Sequence, residues 1–198
     1  MALIDEFNAI TARPDQAALG TVCLKNSISF LHKVGYFIKD LVEVSEPINT
    51  TDTLIQLALP TNFRAWNYIR PKDRNGALLS PLESIQPGQL FEQWDRAVVK
   101  GLQRTGVYYN AGLNCNINLA LPVSGLLLGY YALPDLTKTT YETDDWLVVQ
   151  YKNLVLNYAA AYFYSIIENE AVAAQFRNLA MAEIRQLEIQ ETIQDISL

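Results

Sequence analysis

The segment from Asp144 to Ile167 restricts the possible folds more than any other part of this chain. It reads DDWLVVQYKNLVLNYAAAYFYSII and predicts a helix that is apolar almost all round. A helix of this kind has to be covered on most of its sides. Its polar side chains form one narrow stripe, which consists of Gln150, Lys152, Asn153 and Asn157.

Either the rest of the chain or a neighbouring subunit covers this helix, and the sequence leaves both explanations open. Its tyrosines favour the subunit, because tyrosine joins a large apolar area to a polar tip and is enriched where proteins meet. We therefore predict a subunit interface on this segment. The predicted contact residues are Trp146, Tyr151, Tyr158 and Tyr162.

The chain carries few charges for its size. Charged residues make up 18% of its 198 residues, against a usual fraction of about 25%. Such a composition is typical of a subunit whose surface is partly covered by neighbours, and equally of a globular protein with Asn, Gln, Ser and Thr on its surface. The net charge of −6 argues against a general attraction to nucleic acid, although local basic patches stay open.

Helical spacing of apolar residues predicts helices at both ends of the chain. Leu3, Phe7 and Ile10 share one face of the first helix. A second helix is expected to begin at Pro14 and to end at a glycine cap at Gly35.

Two further helices are predicted towards the C-terminus. Thr143 is expected to cap the apolar helix, with Asp144 and Asp145 in its first turn. A last helix begins at Asn169 and Glu170, and its apolar face consists of Phe176, Ala180, Ile184 and Leu187.

The middle of the chain has the alternating pattern of β-strands, which we predict at 40–48, 53–60, 63–71, 106–112, 115–122 and 125–134. In the third of these strands, strict alternation puts Asn67 and Ile69 on one side and Trp66 and Tyr68 on the other, as an aromatic outer face. The pair Asn75–Gly76 predicts a tight hairpin turn.

The order of helices, then strands, then helices favours an α+β fold. We predict a helical bundle formed from both chain ends with an inserted antiparallel β-sheet. No linker divides the chain, so one domain is expected over residues 1–198. Its helical part covers 1–36 and 143–198, and its β-rich part covers 37–136.

The sequence contains no constellation that is typical of catalysis, of a cofactor or of a bound metal. His32 is the single histidine, and we interpret it as a cation near a helix C-terminus or as a packed residue. Cys23 and Cys115 lack metal-ligand spacing and are predicted to be buried free thiols. The N-terminus is not typical of a signal peptide, and no apolar run reaches the roughly 20 residues that span a bilayer.

Two segments, one apolar and one basic, could either contact a partner or serve the chain's own fold. A stripe of Ile189, Ile193 and Ile196 near the C-terminus either packs back on the core or docks into a partner. A basic hairpin tip either contacts an acidic partner or nucleic acid, or is a solvated turn that protects a sheet edge. The charges of this tip are Arg70, Lys72 and Arg74.

Several patterns together resemble the head-to-tail adaptor proteins of tailed bacteriophages, which include the tail tubular proteins of short-tailed phages. The patterns are Tyr-Tyr-x-x-Gly in GVYYNAG, Gly-Tyr-Tyr-x-x-Pro in GYYALP, and a long apolar helix followed by a polar amphipathic one. The opening DEFNAIT…FLHKVGYFIKDL and the strand LPTNFRAWNYIR also look like this group. The resemblance thus covers nearly the whole chain.

This resemblance implies a structural virion protein without catalytic residues. About twelve copies of such a protein form a ring beneath the portal protein, in the neck of the virion, after assembly in the host cytoplasm. The ring extends the DNA channel and offers an attachment surface to tail or nozzle proteins. DNA passes through it without sequence-specific binding, and no membrane, cofactor or metal is involved.

The resemblance also assigns two sets of contact residues. The portal-docking element is implied to be the C-terminal stretch, with Leu187, Ile189, Ile193, Ile196 and Leu198. The tail-facing part is implied to be the β region, with Trp66, Tyr68, Arg70, Lys72 and Arg74.

Two other classes of function stay open at this point. One is a soluble binding or regulatory module, which a stable monomer with a specific ligand would support. The other is a small metal-dependent nuclease or hydrolase that gathers scattered carboxylates around magnesium, although no spacing in the sequence supports it.

Overall fold

The computed structural model describes residues 2–48, 53–89, 105–138 and 140–196. The chain divides into two compact units. The helical unit consists of Met1–Asp40 and Leu133–Leu198, and the β unit consists of Leu41–Ala132. The predicted mixed α+β class with antiparallel strand pairing is confirmed.

The helical unit contains six α-helices within the described residues. They are α1 (Leu3–Thr11), α2 (Ala17–Val34), α3 (Tyr141–Asp144), α4 (Trp146–Gln150), α5 (Lys152–Ile166) and α6 (Glu170–Ile196). The 3-10 turn Pro14–Gln16 precedes α2. A second 3-10 turn, Ile38–Asp40, ends the first of the two chain segments that form the helical unit.

Helix α5 lies against α1, α2, α4 and α6. Phe163 on α5 is fully buried and meets the ring of Phe7 on α1 edge to face, with 5.6 Å between the ring centroids. Ser27 on α2 donates a buried hydrogen bond of 2.9 Å to the carbonyl of Val155 on α5. Much of the apolar surface of α5 is therefore covered by its own chain.

The predicted apolar helix is not continuous. It is interrupted at Tyr151, whose backbone angles of φ −128° and ψ 42° are not helical. The predicted cap at Thr143 is wrong, because Thr143 lies inside the short helix α3. Asp145 is the actual cap of α4, since its backbone is extended and its carboxylate accepts from the N–H groups of Leu147 and Val148.

The predicted faces of the outer helices agree with the observed burial except at Ile10. Leu3 and Phe7 on α1 are buried, whereas Ile10 is exposed. The predicted apolar face of α6 is also covered, with Ala180, Ile184 and Leu187 buried and Phe176 half-buried. Gly35 follows the last residue of α2 as the predicted cap, and its backbone is extended at φ −128° and ψ 173°.

The β unit contains seven strands within the described residues. They are β1 (Leu41–Pro47), β2 (Leu54–Ala58), β3 (Phe63–Lys72), β4 (Glu83–Ser84), β5 (Gly106–Ala111), β6 (Asn114–Leu119) and β7 (Gly125–Ala132). They form two sheets instead of the single predicted sheet, with the orders β1-β7-β3 and β2-β6-β5-β4. Only the short pair of β4 and β5 is parallel among these ladders.

The predicted aromatic outer face of β3 is wrong. Register shifts between Phe63 and Ala65 and between Trp66 and Tyr68 mark bulges in the pairing with β7. Because each bulge inserts a residue, strict alternation fails along the strand. Trp66 consequently packs against the core of the β unit together with buried Ile69, while Asn67 is exposed.

The predicted hairpin turn at Asn75–Gly76 is confirmed, and a second hairpin turn lies at Gly112. Gly76 has φ +83°, and the side chain of Asp73 accepts from the backbone N–H groups of Asn75 and Ala77. Gly112 has φ +61° between β5 and β6. These two positions need left-handed backbone, which glycine adopts without steric cost.

The two cysteines are free and buried, as predicted. Cys23 is in the core of the helical unit, and burial raises the pKa of its thiol to about 11. Cys115 is in the core of the β unit, and burial raises its thiol pKa to about 12, against a smaller lowering by its contact with Trp66. Both thiols are therefore protonated and unreactive at neutral pH.

Candidate interaction surfaces and a buried charged cluster

A groove between α2 and α5 contains two of the four predicted interface residues. Its volume is about 360 Å³. We call it the tyrosine groove, and its lining residues are Asn26, Ser27, Ser29, Phe30, Lys33, Tyr158 and Tyr162.

The floor and the rim of the tyrosine groove are aromatic. Phe30 and Tyr158 stack face to face, with 4.6 Å between their centroids and an angle of 8° between their planes. Phe30 and Tyr162 are each 43% exposed. Ile166, one helical turn beyond Tyr162 on α5, and Val22, about two turns before Phe30 on α2, are also exposed.

The other two predicted interface residues, Trp146 and Tyr151, belong to a different part of the helical unit. Their rings meet edge to face at 6.0 Å, and Trp146 also contacts Phe37 at 5.3 Å. The ammonium group of Lys39 lies 4.8 Å from the Trp146 ring centroid. The structure therefore separates the predicted set into two pairs, of which Trp146 and Tyr151 pack within their own unit.

A buried charged cluster lies beside Trp146, around His32. The Nδ1 atom of His32 is 2.9 Å from Oδ1 of Asp40, and its Nε2 atom is 2.9 Å from Oδ2 of Asp145. The indole N–H of Trp146 donates to the same Asp40 oxygen at 2.7 Å. The side chains of His32, Asp40 and Asp145 are each no more than 5% exposed.

The two contacts favour a protonated imidazole. A carboxylate only accepts hydrogen bonds, so a ring that donates to two carboxylates needs two N–H groups, and only the imidazolium carries both. Burial by itself lowers the pKa of His32, but the hydrogen bonds and charges of Asp145 and Asp40 outweigh it and raise the pKa to about 9. His32 is therefore a cation at neutral pH, enclosed between two carboxylates.

The cluster joins three separate elements. His32 lies near the end of α2, Asp40 ends the 3-10 turn after which the chain leaves the helical unit, and Asp145 caps α4. The second oxygen of Asp40, Oδ2, is buried without a hydrogen-bond partner among the described residues. The sequence-based interpretation of His32 as a packed residue near a helix end agrees with its buried position in the last turn of α2. The sequence did not indicate its two carboxylate partners, Asp40 and Asp145.

The predicted portal-docking residues do not share one environment. Leu187 is 2% exposed and belongs to the core of the helical unit, so its assignment to a docking surface is wrong. Ile189 is 60% exposed. The helix continues to Ile196, but the side chains of Ile193 and Ile196, and all of Leu198, lie outside the described residues.

The predicted tail-facing residues are engaged with neighbours inside the β unit. Trp66 donates to Asn110 at 3.0 Å, and the hydroxyl of Tyr68 donates to Glu43. Arg70 donates to the carbonyl of Leu79 at 3.2 Å, and Lys72 donates to Ser45 at 2.6 Å. Arg74, at the hairpin turn, is exposed.

In the described parts of the chain, no three His, Cys, Asp or Glu side chains gather as a metal site would need. Among the described helices, none combines the length and apolar character required to cross a bilayer. No protein-family model matches the chain, and no curated protein matches it.

Proposed function

We propose that this chain is a head-to-tail connector adaptor of a tailed bacteriophage. About twelve copies form a ring beneath the portal protein, in the neck of the virion. The ring extends the DNA channel, and tail or nozzle proteins attach to it. In this proposal the helical unit is a bundle built from both chain ends around α5.

The observation that carries the proposal is the exposed aromatic and aliphatic surface around α5. Most of this helix is covered, yet Tyr162 and Ile166 are 43% and 45% exposed, and Val22 and Phe30 on α2 are exposed as well. Exposed apolar patches of this kind mark interaction sites.

The distribution of charge supports a conduit for DNA. Residues 1–40 and 133–198 contain 14 acidic and 8 basic side chains, whereas residues 41–132 contain seven of each. With His32 counted as neutral, the whole formal net charge of −6 is therefore carried by the helical unit. A negative surface repels the phosphates of DNA and lets the duplex slide, because non-specific binding depends on clustered Lys and Arg.

The portal contact is proposed to lie in α6 beyond Leu187. The last residue of α6 observed in the core is Leu187, and Ile189 is already exposed. Along the sequence, Ile193 and Ile196 continue the stripe of Ile189 at helical spacing. An amphipathic helix of this kind docks by its apolar side into a groove of a partner.

A truncation tests this assignment. We expect deletion of residues 188–198 to abolish co-sedimentation with the portal protein of the same phage. The midpoint of urea unfolding should change little, because the deletion spares buried Leu187. The matched control is Leu187→Ala in the full chain, which should lower the free energy of unfolding by about 2–5 kcal/mol. Unchanged co-sedimentation of the truncated chain would refute the docking assignment.

A further inference from the structure

We infer that the outer edge of β2 is the contact surface for a second copy of this chain. The two copies pair β2 with β2, antiparallel, about a two-fold axis at Gln56. This contact goes beyond the proposed ring and does not depend on it, because a two-fold contact joins two copies and uses the same edge of both.

Strand β2 has one edge that is free within the described part of the chain. It is the first strand in the order β2-β6-β5-β4, so only β6 pairs with it. On the β6 side, the N–H of Leu59 donates at 2.8 Å to the carbonyl of Leu113. Such bonds recur at every second residue of an antiparallel pair. The N–H and C=O groups of Leu54, Gln56 and Ala58 therefore point away from β6, towards the free edge.

The outward groups of β2 are symmetric about the middle of the strand. Leu54 and Ala58 each lie two residues from Gln56. A second copy turned by 180° thus sets Gln56 opposite Gln56, and Leu54 opposite Ala58. In this register every outward N–H of one strand meets an outward carbonyl of the other, and each copy donates from all of these residues.

The side chains of β2 also suit a second copy. The strand reads LIQLA and carries no charge, so two copies bring no like charges together. Leu54 is 69% exposed, and in the paired register it lies beside the small side chain of Ala58. On the other face, Ile55 of one copy lies beside Leu57 of the other, and both extend the core of the β unit. The strand is therefore its own complement, as a two-fold contact requires.

The other described sheet edges are protected against pairing. Strand β1 carries exposed Glu43 and Glu46 and ends at Pro47, which has no N–H. Strand β4 is only two residues long. The free side of β3 is covered by the chain that follows it, where Leu82 donates to the carbonyl of Ile69 at 2.8 Å. Charge, proline, short length and covering are the devices that keep edges apart. Among the strands that the structure describes, β2 shows none of them.

A cysteine at the two-fold axis tests the register. Opposite residues of a hydrogen-bonded pair have Cα atoms about 5.5 Å apart, which a disulfide can bridge. We expect Gln56→Cys to form a covalent dimer of the full chain under mild oxidation, detected by non-reducing gel electrophoresis. The matched control is the exposed Leu54→Cys, which should stay monomeric, because the two new cysteines lie about 13 Å apart along the strands. Cys23 and Cys115 are buried and do not compete.

Proline at the same position tests the backbone pairing. The N–H of Gln56 faces away from β6, so Gln56→Pro leaves the ladder with β6 intact. Both central hydrogen bonds of the dimer are lost, and we expect its dissociation constant to rise at least about 30-fold in sedimentation equilibrium. The matched control is Gln56→Ala, which loses the same side chain and its bond to Asn116 but retains the N–H. It should dimerise within about 5-fold of the wild type. Circular dichroism and urea unfolding establish that each variant is folded.

The outcomes separate this contact from the proposed function. Covalent dimers in both cysteine variants or in neither, or equal dissociation constants for Gln56→Pro and Gln56→Ala, would overturn the β2 contact. A wild-type chain that stays monomeric in solution up to about 1 mM would also overturn it. None of these results affects the adaptor, whose ring is observed on the portal. A chain that dimerises through β2 but forms no ring on the portal would support the contact and overturn the adaptor.

Discussion

Replacement of His32 by leucine is expected to lower the free energy of unfolding by about 3–5 kcal/mol. In this variant Asp40 and Asp145 stay buried but lose the imidazole ring that both of them contact. Removing one member of a buried charged group costs this much because the remaining charges have lost their solvent as well as their partner. Urea unfolding of the full chain at neutral pH measures the change.

The matched control breaks an exposed ion pair in the same unit. Lys152 lies 2.9 Å from Glu6, and its side chain is 46% exposed. We expect Lys152→Leu to change the free energy of unfolding by no more than about 1 kcal/mol, because solvent screens the pair. A His32→Leu variant as stable as this control would show that the buried cluster does not hold the helical unit together.

The stability of the wild-type chain is expected to decrease as the pH rises from about 6.5 to about 9, because His32 is a cation in the fold. Its pKa is raised from the usual 6.5 to about 9. A group whose pKa is higher in the folded than in the unfolded chain stabilises the fold fully at a pH below the unfolded-state pKa. This stabilisation is lost as the pH rises through the folded-state pKa. The loss is roughly 3 kcal/mol, at 1.36 kcal/mol for each pH unit between the two values.

The measurement is urea unfolding of the wild type and of His32→Leu at a series of pH values. The wild-type curve should fall over this pH range, and the difference between the two proteins should shrink by the same amount. The direct check is the titration of the His32 ring followed by NMR. A pKa at or below 6.5, or parallel stability curves for the two proteins, would contradict the charged state of His32.

The local parts of this fold were predictable because their signals lie within a few residues. Apolar spacing identified the buried faces of α1 and α6, and the pair Asn75–Gly76 identified its turn because glycine adopts left-handed backbone. The alternation in β6 likewise agrees with its burial, with Cys115 and Ile117 inside and Asn116 only half-buried.

The features that sequence reasoning missed depend on tertiary contacts. His32 and Asp145 are 113 residues apart, and no spacing rule connects them. The bulges in β3 arise from its pairing with β7, so the side of the sheet on which Trp66 lies was not determined by the strand alone. For the same reason, Trp146 and Tyr158 look equivalent in one apolar segment, although the interruption at Tyr151 separates their surroundings.

The most direct test of the proposed adaptor is electron microscopy of the full chain mixed with the portal protein of the same phage. The proposal predicts weak or absent self-assembly at low concentration and, on the portal, a closed ring of about twelve copies around a central channel. The subunit contacts in that ring should include the tyrosine groove. A compact monomer that leaves the portal uncovered, or that turns over a substrate, would contradict the proposal.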